Sequence, residues 1–254
     1  VLPFLMLKVI QGHEIWVLPD SALKKRGEET RCRVYYGHAM RPDGLARENK
    51  LSAWAINPAG ERFRLRVLSG REYHTLRLIP EKEGLWAVAV ENDVGPIVVT
   101  KGGLYKPGTR KEYPDAREAA YYYQYAKTYF VADHFCVACV DLFKQAGLSF
   151  LGHELELVLS PENYQVGDEA ILQIRYRSEP LPGAMVAATW SGWGKPDWAQ
   201  RFVSNSKGQV KVLLTDPGDW LFYVRHADEN RGVRGEYDRR VMSATLTLAG
   251  VRGS

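Results

Sequence analysis

Apolar and polar residues alternate in short runs along most of the first half of the chain. The runs are rich in β-branched and aromatic residues, and turn signals such as Asn57-Pro58-Ala59-Gly60 recur about every ten residues. Strands at this spacing are typical of an antiparallel sandwich. Six strands are predicted at residues 15–18, 31–36, 51–56, 63–68, 73–79 and 85–90.

The second half shows the same alternation with clearer punctuation. Seven strands are predicted at residues 154–159, 169–177, 184–190, 199–203, 209–214, 220–226 and 241–249. Seven is the strand number of an immunoglobulin-like domain. We therefore expect an all-β protein of two tandem immunoglobulin-like antiparallel β-sandwiches with a long connecting segment. The predicted units are a leader at 1–12, an N-terminal sandwich at 13–147 and a C-terminal sandwich at 148–254.

The connecting segment carries mixed signals. Residues 101–115 are rich in Gly, Pro and charge, which predicts a long loop. Residues 117–127 contain Ala and Glu, which favour a helix, and four tyrosines, which favour a strand. We expect a short helix or turn here that leads into a strand.

Residues 1–12 form an apolar leader that is too short to span a membrane. One interpretation is the end of a signal peptide, whose removal after Gly12 would make His13 the amino terminus. The other is a strand that pairs with a partner surface, because an exposed apolar strand needs one. We expect a periplasmic or extracellular protein.

Composition and charge exclude several functional classes. The 254 residues are 45% hydrophobic and 25% charged, as in ordinary folded proteins. The net charge of +4 is spread along the chain without a basic run, so we expect no nucleic-acid partner. No nucleophile elbow, Walker loop or dinucleotide fingerprint occurs, so we expect a binding protein without a catalytic substrate rather than an enzyme.

Two histidines are candidates for metal binding. His13 follows the leader, and His38 lies in the turn Gly37-His38-Ala39-Met40 after the second predicted strand. Neutral imidazole is a common ligand for divalent transition metals. If the two strands pair as neighbours, both rings reach the same end of the sandwich, and an amino-terminal His13 could add its α-amine. The alternative is that each is a solvated or hydrogen-bonded surface histidine.

A second group of ligand types lies at residues 133–139. His134 precedes Cys136 and Cys139, which form a Cys-x-x-Cys pair. Such a group can hold a metal or cycle as a dithiol. A local disulfide or buried free thiols are favoured here, because no second Cys pair exists and Val140 stands where a covalently attached haem would require a histidine.

The second half repeats part of the first at an offset of 140 residues. The matches are His13 with His153, Glu14 with Glu154, Gly27 with Gly167 and Tyr36 with Tyr176. At this offset Ser178 stands opposite His38, so the histidine of the turn is not repeated. Tandem related sandwiches would explain the repeat.

The second half also carries four tryptophans that could stack on sugars. Trp190 and Trp220 lie in predicted strands and fit the sandwich core. Trp193 and Trp198 lie in a Gly-Pro loop and are freer to bind a ligand.

Several segments, in their order, resemble one known family. They are His13-Glu14-Ile15-Trp16, Pro19-Asp20-Ser21-Ala22-Leu23 and Gly37-His38-Ala39-Met40 in the first half, and Tyr164-Gln165-Val166-Gly167-Asp168 and Asp216-Pro217-Gly218-Asp219-Trp220 in the second. From His13 onward the chain resembles the periplasmic nickel/cobalt uptake component family, a large group otherwise labelled as a domain of unknown function. The resemblance implies an exported protein in which His13 and His38 help to bind a nickel or cobalt ion for a membrane metal transporter complex.

Two other functions stay open. The chain could be a secreted structural protein whose leader pairs with further copies of itself, forming oligomers or filaments. It could also bind carbohydrate through Trp193 and Trp198.

Overall fold

The computed structural model describes residues 12–134, 151–160 and 163–253. Apart from one 3-10 turn at Glu48–Lys50, its regular structure is all β. The first half contains β1 (Glu14–Pro19), β2 (Leu23–Lys24), β3 (Thr30–His38), β4 (Arg41–Gly44), β5 (Leu51–Ile56), β6 (Arg62–Leu65), β7 (His74–Leu78), β8 (Gly84–Val99), β9 (Tyr105–Pro107) and β10 (Glu118–Ala132). The second half contains β11 (Leu155–Leu159), β12 (Glu169–Tyr176), β13 (Glu179–Pro180), β14 (Met185–Trp190), β15 (Gln200–Val203), β16 (Gln209–Leu213), β17 (Gly218–Asp228) and β18 (Arg239–Val251).

One central sheet of ten strands runs through both halves of the chain. Its order is β15-β14-β17-β18-β10-β8-β5-β6, with the short strands β2 and β9 added on β10 and β8. β10 and β18 pair in parallel, from Ala120 opposite Arg239 to Thr128 opposite Thr247. This pairing joins the two halves side by side through backbone hydrogen bonds.

Two smaller sheets cover opposite faces of the central sheet. The N-terminal outer sheet contains β1, β3, β4 and β7, and the C-terminal outer sheet contains β11, β12, β13 and β16. Successive residues of a strand point to opposite faces. On β8, accordingly, Trp86 and Val88 pack in the core under the N-terminal outer sheet, whereas Leu85 and Ala87 pack in the core under the C-terminal outer sheet.

The covering of both faces explains why β10 is a strand along its whole length. Residues 124–132 are buried without interruption, which is the pattern of a strand enclosed on both faces. The prediction of a short helix or turn at 117–127 is therefore wrong, because tertiary pairing overrides the helix propensity of Ala and Glu. The predicted loop at 101–115 also contains the short strand β9, which pairs with the end of β8.

The two halves have the same strand pairing. In the first half β1 pairs with β3, which also pairs with the short β4 and with β7. In the second half β11 pairs with β12, which also pairs with the short β13 and with β16. Val17 pairs with Val34 in the first half, and Leu159 pairs with Leu172 in the second. The parallel pair and the outer sheets on opposite faces are what a pseudo-two-fold axis along the strands produces.

The predicted fold class is confirmed: the chain is all β, with sandwich layers in both halves. Each of the thirteen predicted strands overlaps an observed strand. The proposed domain limit between 147 and 148 lies outside the described residues and stays a prediction. Within the described part of the chain, no helix is long and apolar enough to cross a membrane.

A buried ion pair links β10 to the C-terminal outer sheet. Lys127 Nζ donates to Glu156 Oε1 at 2.5 Å, and the two side chains are 2% and 1% exposed. The same carboxylate accepts the backbone N–H groups of Leu151 and Gly152. Burial lowers the pKa of Lys127, and the adjacent Glu156 opposes that shift. A charge in this position depends on its partner.

Replacing one member of this pair should destabilise the protein strongly. Lys127→Met is expected to lower the free energy of unfolding by about 3–5 kcal/mol, because it leaves a buried carboxylate without its cation. The double variant Lys127→Met/Glu156→Gln should lose less, since the amide still accepts a backbone N–H. Urea denaturation of the three proteins measures both differences, and equal losses in the single and double variants would contradict this role.

His153 lies beside the ion pair and is almost completely buried. Its ring stacks on Tyr125 with centroids 4.8 Å apart. Burial lowers the pKa of His153 to about 4. The charged groups that face it are Glu91, Glu156, Lys127 and Arg62. The folded protein therefore holds a neutral imidazole in acid where the unfolded chain holds a cation.

The buried His153 should make stability depend on pH between about 6.5 and 4. The unfolded chain binds a proton in this window and the folded protein does not, so stability falls as the pH falls. The loss attributable to His153 is up to about 3 kcal/mol. Urea denaturation at pH 7 and pH 4 should show a smaller loss for His153→Gln than for the unaltered protein. Identical losses would show that His153 does not cause the effect.

Candidate metal site

Two of the histidines that the sequence predicts as ligands meet at one end of the N-terminal outer sheet. β1 and β3 are antiparallel, with Glu14 opposite Gly37, so His13, directly before β1, lies beside His38 at the end of β3. Their ring centroids are 4.4 Å apart. The His13 ring also stacks on Tyr36 at 4.7 Å, which fixes its plane.

Asp43 completes a group of three possible ligands. His13 Nε2 lies 3.1 Å from Asp43 Oδ1, and His38 Nε2 lies 3.6 Å from Asp43 Oδ2. One ligand atom from each residue falls within 4.8 Å of the others. Asp43 reaches this position because the pairing of β3 and β4 shifts between Tyr36 and Gly37, so that β4 has an extra residue there.

Glu14 supports the turn that carries His38. Ala39 and Met40 both have positive φ, 47° and 64°, as a tight two-residue hairpin turn requires. The Ala39 N–H donates to Glu14 Oε1 at 2.5 Å, and Glu14 is only 1% exposed. The second carboxylate oxygen lies 3.8 Å from His38 Nδ1. Glu14 therefore connects the backbone of the turn to the histidine ring.

The electrostatics of the site favour an uncharged His38. Burial lowers the pKa of His38, and the neighbouring His13 lowers it further, while Asp43 opposes both effects. Burial also raises the pKa of Glu14 to about 8, against the effect of the Ala39 hydrogen bond. A neutral imidazole is the form that binds a metal.

The geometry of the three residues fits a divalent metal. Ligand bonds of about 2.0–2.2 Å place two ligand atoms of one ion at most about 4.4 Å apart. The two histidine–carboxylate distances, 3.1 and 3.6 Å, already fall in that range, and the ligand atoms of the whole group lie within 4.8 Å of one another. The side chains of His13 and Asp43 are each 43% exposed, so an ion can reach them from solvent. Three protein ligands also leave coordination positions open.

His134 does not join this group. It lies beyond the end of β10 at Ala132, whereas the His13 carbonyl accepts a hydrogen bond from Gln124, eight residues before that end. At about 3.3 Å per residue, this part of the strand alone spans roughly 25 Å. The other two predicted ligands, Cys136 and Cys139, lie outside the described residues. Cys32 is a buried free thiol.

The described positions of the second half that correspond to the two histidines hold other residues. The hairpin turns align Ala39 and Met40 with Arg177 and Ser178, which also have positive φ. His38 therefore corresponds to Tyr176, and not to Ser178 as the offset of 140 predicts. Because Leu155 pairs with Tyr176, His13 corresponds to Leu155 rather than His153. The residues that the structure places in corresponding positions therefore differ by two positions from those that the sequence offset of 140 aligns.

The sequence contains a partial signal for Asp43, which the prediction missed. Asp43 follows His38 by five residues in the sequence, and carboxylates accompany histidines in many transition-metal sites. Glu14 directly follows the predicted ligand His13 in the sequence, which is a partial signal for its role. What the sequence did not show is the bulge that turns Asp43 toward the two rings.

The tryptophans are mostly part of the core. Trp220 is completely buried and stacks on Trp190, as predicted. Trp198 is 6% exposed and stacks on Tyr223, so the prediction that it is free to bind a ligand is wrong. Trp193 packs on Trp190, and its indole N–H donates to the Asp197 carbonyl.

The leader at 1–12 lies outside the described residues except for Gly12. Its cleavage and its pairing with another copy both stay predictions. So does the amino-terminal chelate at His13.

Several solved structures resemble the chain weakly. The D0-D1 domain of intimin has 13% identity and a TM-score of 0.23, with 92% of this chain and 97% of that chain covered. The Escherichia coli adhesin FdeC has 16% identity and a TM-score of 0.25, with coverages of 91% and 63%. Trypsin-activated alpha-2-macroglobulin from Escherichia coli has 10% identity and a TM-score of 0.28. The alignment covers 93% of this chain but 15% of the macroglobulin. Similarities at this level carry no functional argument.

Sequence comparison assigns the family but no activity. No curated protein matches the chain significantly. Residues 10–228 match a family described as a domain of unknown function, DUF4198, and the match covers most of the chain, including His13, His38 and Asp43. On this match, the protein belongs to the DUF4198 family.

Proposed function

We propose that this protein is an exported binding protein that captures a divalent transition metal, nickel or cobalt, for a membrane transporter. The observation that carries the proposal is the convergence of His13, directly before β1, with His38 on β3 and Asp43 on β4, whose ligand atoms lie within 4.8 Å of one another. Export is what the resemblance of the sequence to periplasmic uptake components implies.

The ligand set supports this choice of metal. Two imidazoles and one carboxylate suit borderline divalent ions, whereas magnesium and calcium prefer oxygen ligands alone. Nickel binds such ligands more tightly than cobalt in the general affinity order. No thiolate belongs to the group, so a soft ion such as Cu(I) is less suited.

The exposure of the site supports capture and delivery rather than permanent retention. His38 is 39% exposed and Asp43 is 43% exposed. A permanent structural site usually encloses its metal with four protein ligands. Three half-exposed ligands allow the metal to enter and to leave for a transporter.

Calorimetric titration with nickel and with cobalt tests the proposal. We expect one ion per chain for each metal, and no binding of magnesium. His13→Ala, His38→Ala and Asp43→Ala should each weaken nickel binding by more than about 100-fold, since even outer-shell partners contribute 10–100-fold. His134→Ala is the matched control, because His134 lies beyond the far end of β10, away from the site. Absence of nickel binding by the unaltered protein, or binding undiminished in all three variants, would refute the site.

Glu14 should matter for binding without contacting the metal. Glu14→Ala is expected to weaken nickel binding by about 10–100-fold, because the carboxylate positions the turn of His38. The same change should lower the free energy of unfolding by about 1–3 kcal/mol, since the Ala39 N–H loses its acceptor. Glu154→Ala is the control, because Glu154 pairs with Arg231 in the second half. Nickel affinity unchanged by Glu14→Ala would exclude the positioning role.

A further inference from the structure

A cavity of about 450 Å³ opens directly beside the candidate metal site. His13 and His38 form one side of it, on the N-terminal outer sheet. The central sheet forms the other side, with Tyr122 on β10 and Tyr223 and Arg225 on β17. The cavity therefore adjoins both histidines of the candidate site.

The cavity is larger than a metal ion requires. One water occupies about 30 Å³ in the liquid, so three metal-bound waters need roughly 100 Å³. Cavities of about 300–1,000 Å³ are the size of small-molecule sites. The space beside His13 and His38 thus has room for an organic ligand of the metal.

The lining has the chemistry of a site for a small organic anion. It contains five tyrosines, namely Tyr36, Tyr105, Tyr122, Tyr123 and Tyr223. Their rings offer flat apolar surface and their hydroxyls can donate hydrogen bonds, although the Tyr123 hydroxyl already donates to Glu91 Oε2. The described lining residues include Arg225 and no Asp or Glu.

Arg225 is held at the cavity wall by its neighbours. Its guanidinium lies over the Tyr122 ring, 5.7 Å from the centroid. Its Nη1 atom also lies close to Gly12, the residue next to His13. A Cβ atom added at Gly12 would be 3.8 Å from Nη1. An arginine is well suited to bind a carboxylate through charge-assisted hydrogen bonds.

We propose that the protein binds its metal together with a small carboxylate-bearing chelator, such as a hydroxycarboxylate or an amino acid. The chelator fills the open coordination positions from the cavity side, packs on the tyrosine rings and places a carboxylate against Arg225. This inference rests on the proposed metal binding by His13, His38 and Asp43. It adds that the cargo is a metal complex rather than the bare ion.

Equilibrium dialysis with radiolabelled citrate and, separately, radiolabelled histidine tests the proposal. Each probe is measured with the full chain, with and without one equivalent of nickel. We expect at least one probe to be retained at one molecule per chain when nickel is present, and retention to fall at least tenfold without nickel. Retention of citrate or of histidine identifies the hydroxycarboxylate or the amino-acid class.

Variants separate the cavity from the metal ligands. Arg225→Gln should reduce probe retention at least tenfold and leave nickel binding without a chelator within threefold of the unaltered protein. Arg225→Lys should restore part of the retention, because it keeps the charge. Arg240→Gln is the matched control, since Arg240 lies over Tyr121 in the same way but outside this cavity.

The failure of this inference differs from the failure of the proposed function. If nickel binds but neither probe is retained, or if Arg225→Gln retains the probes as well as Arg240→Gln does, the chelator proposal is wrong and the metal site stands. If nickel does not bind without a chelator and no probe is retained, both proposals fall.

Discussion

The parallel pairing of β10 and β18 is the constraint on which the rest of the structure depends. It turns two sandwiches into one central sheet with an outer sheet on each face. It also places β1 over the junction, where Thr245 of β18 donates to the Ile15 carbonyl and Trp16 packs with Leu221 of β17. The strand that begins beside His13 is thus held by the second half of the chain, although both histidines belong to the first.

One buried position has different roles in the two halves of the chain. Strand pairing aligns Glu14 on β1 with Glu156 on β11, and each is 1% exposed. In the second half the carboxylate pairs with Lys127 and joins the layers. In the first half it accepts the Ala39 N–H and lies near His38. The same scaffold position therefore forms a structural ion pair in the second half and supports the candidate metal site in the first half.

Local patterns in the sequence were sufficient for strands and turns but not for long-range pairing. Alternation located β5 at residues 51–56, because buried residues there alternate with half-buried ones along most of the strand. The parallel partner of β10 lies more than a hundred residues away, and no local signal encodes it. The same limit applies at the site, where pairing of β1 with β3 was predictable and the bulge at Asp43 was not.

The central claim is that His13, His38 and Asp43 hold one metal ion at the edge of the N-terminal outer sheet. Crystals of the protein grown with nickel, measured at the nickel absorption edge, test it most directly. The account predicts one strong anomalous peak about 2.0–2.2 Å from a nitrogen of each histidine and an oxygen of Asp43. A nickel peak found only elsewhere, such as beside residues 134–139, or no peak in a nickel-saturated crystal, would contradict it.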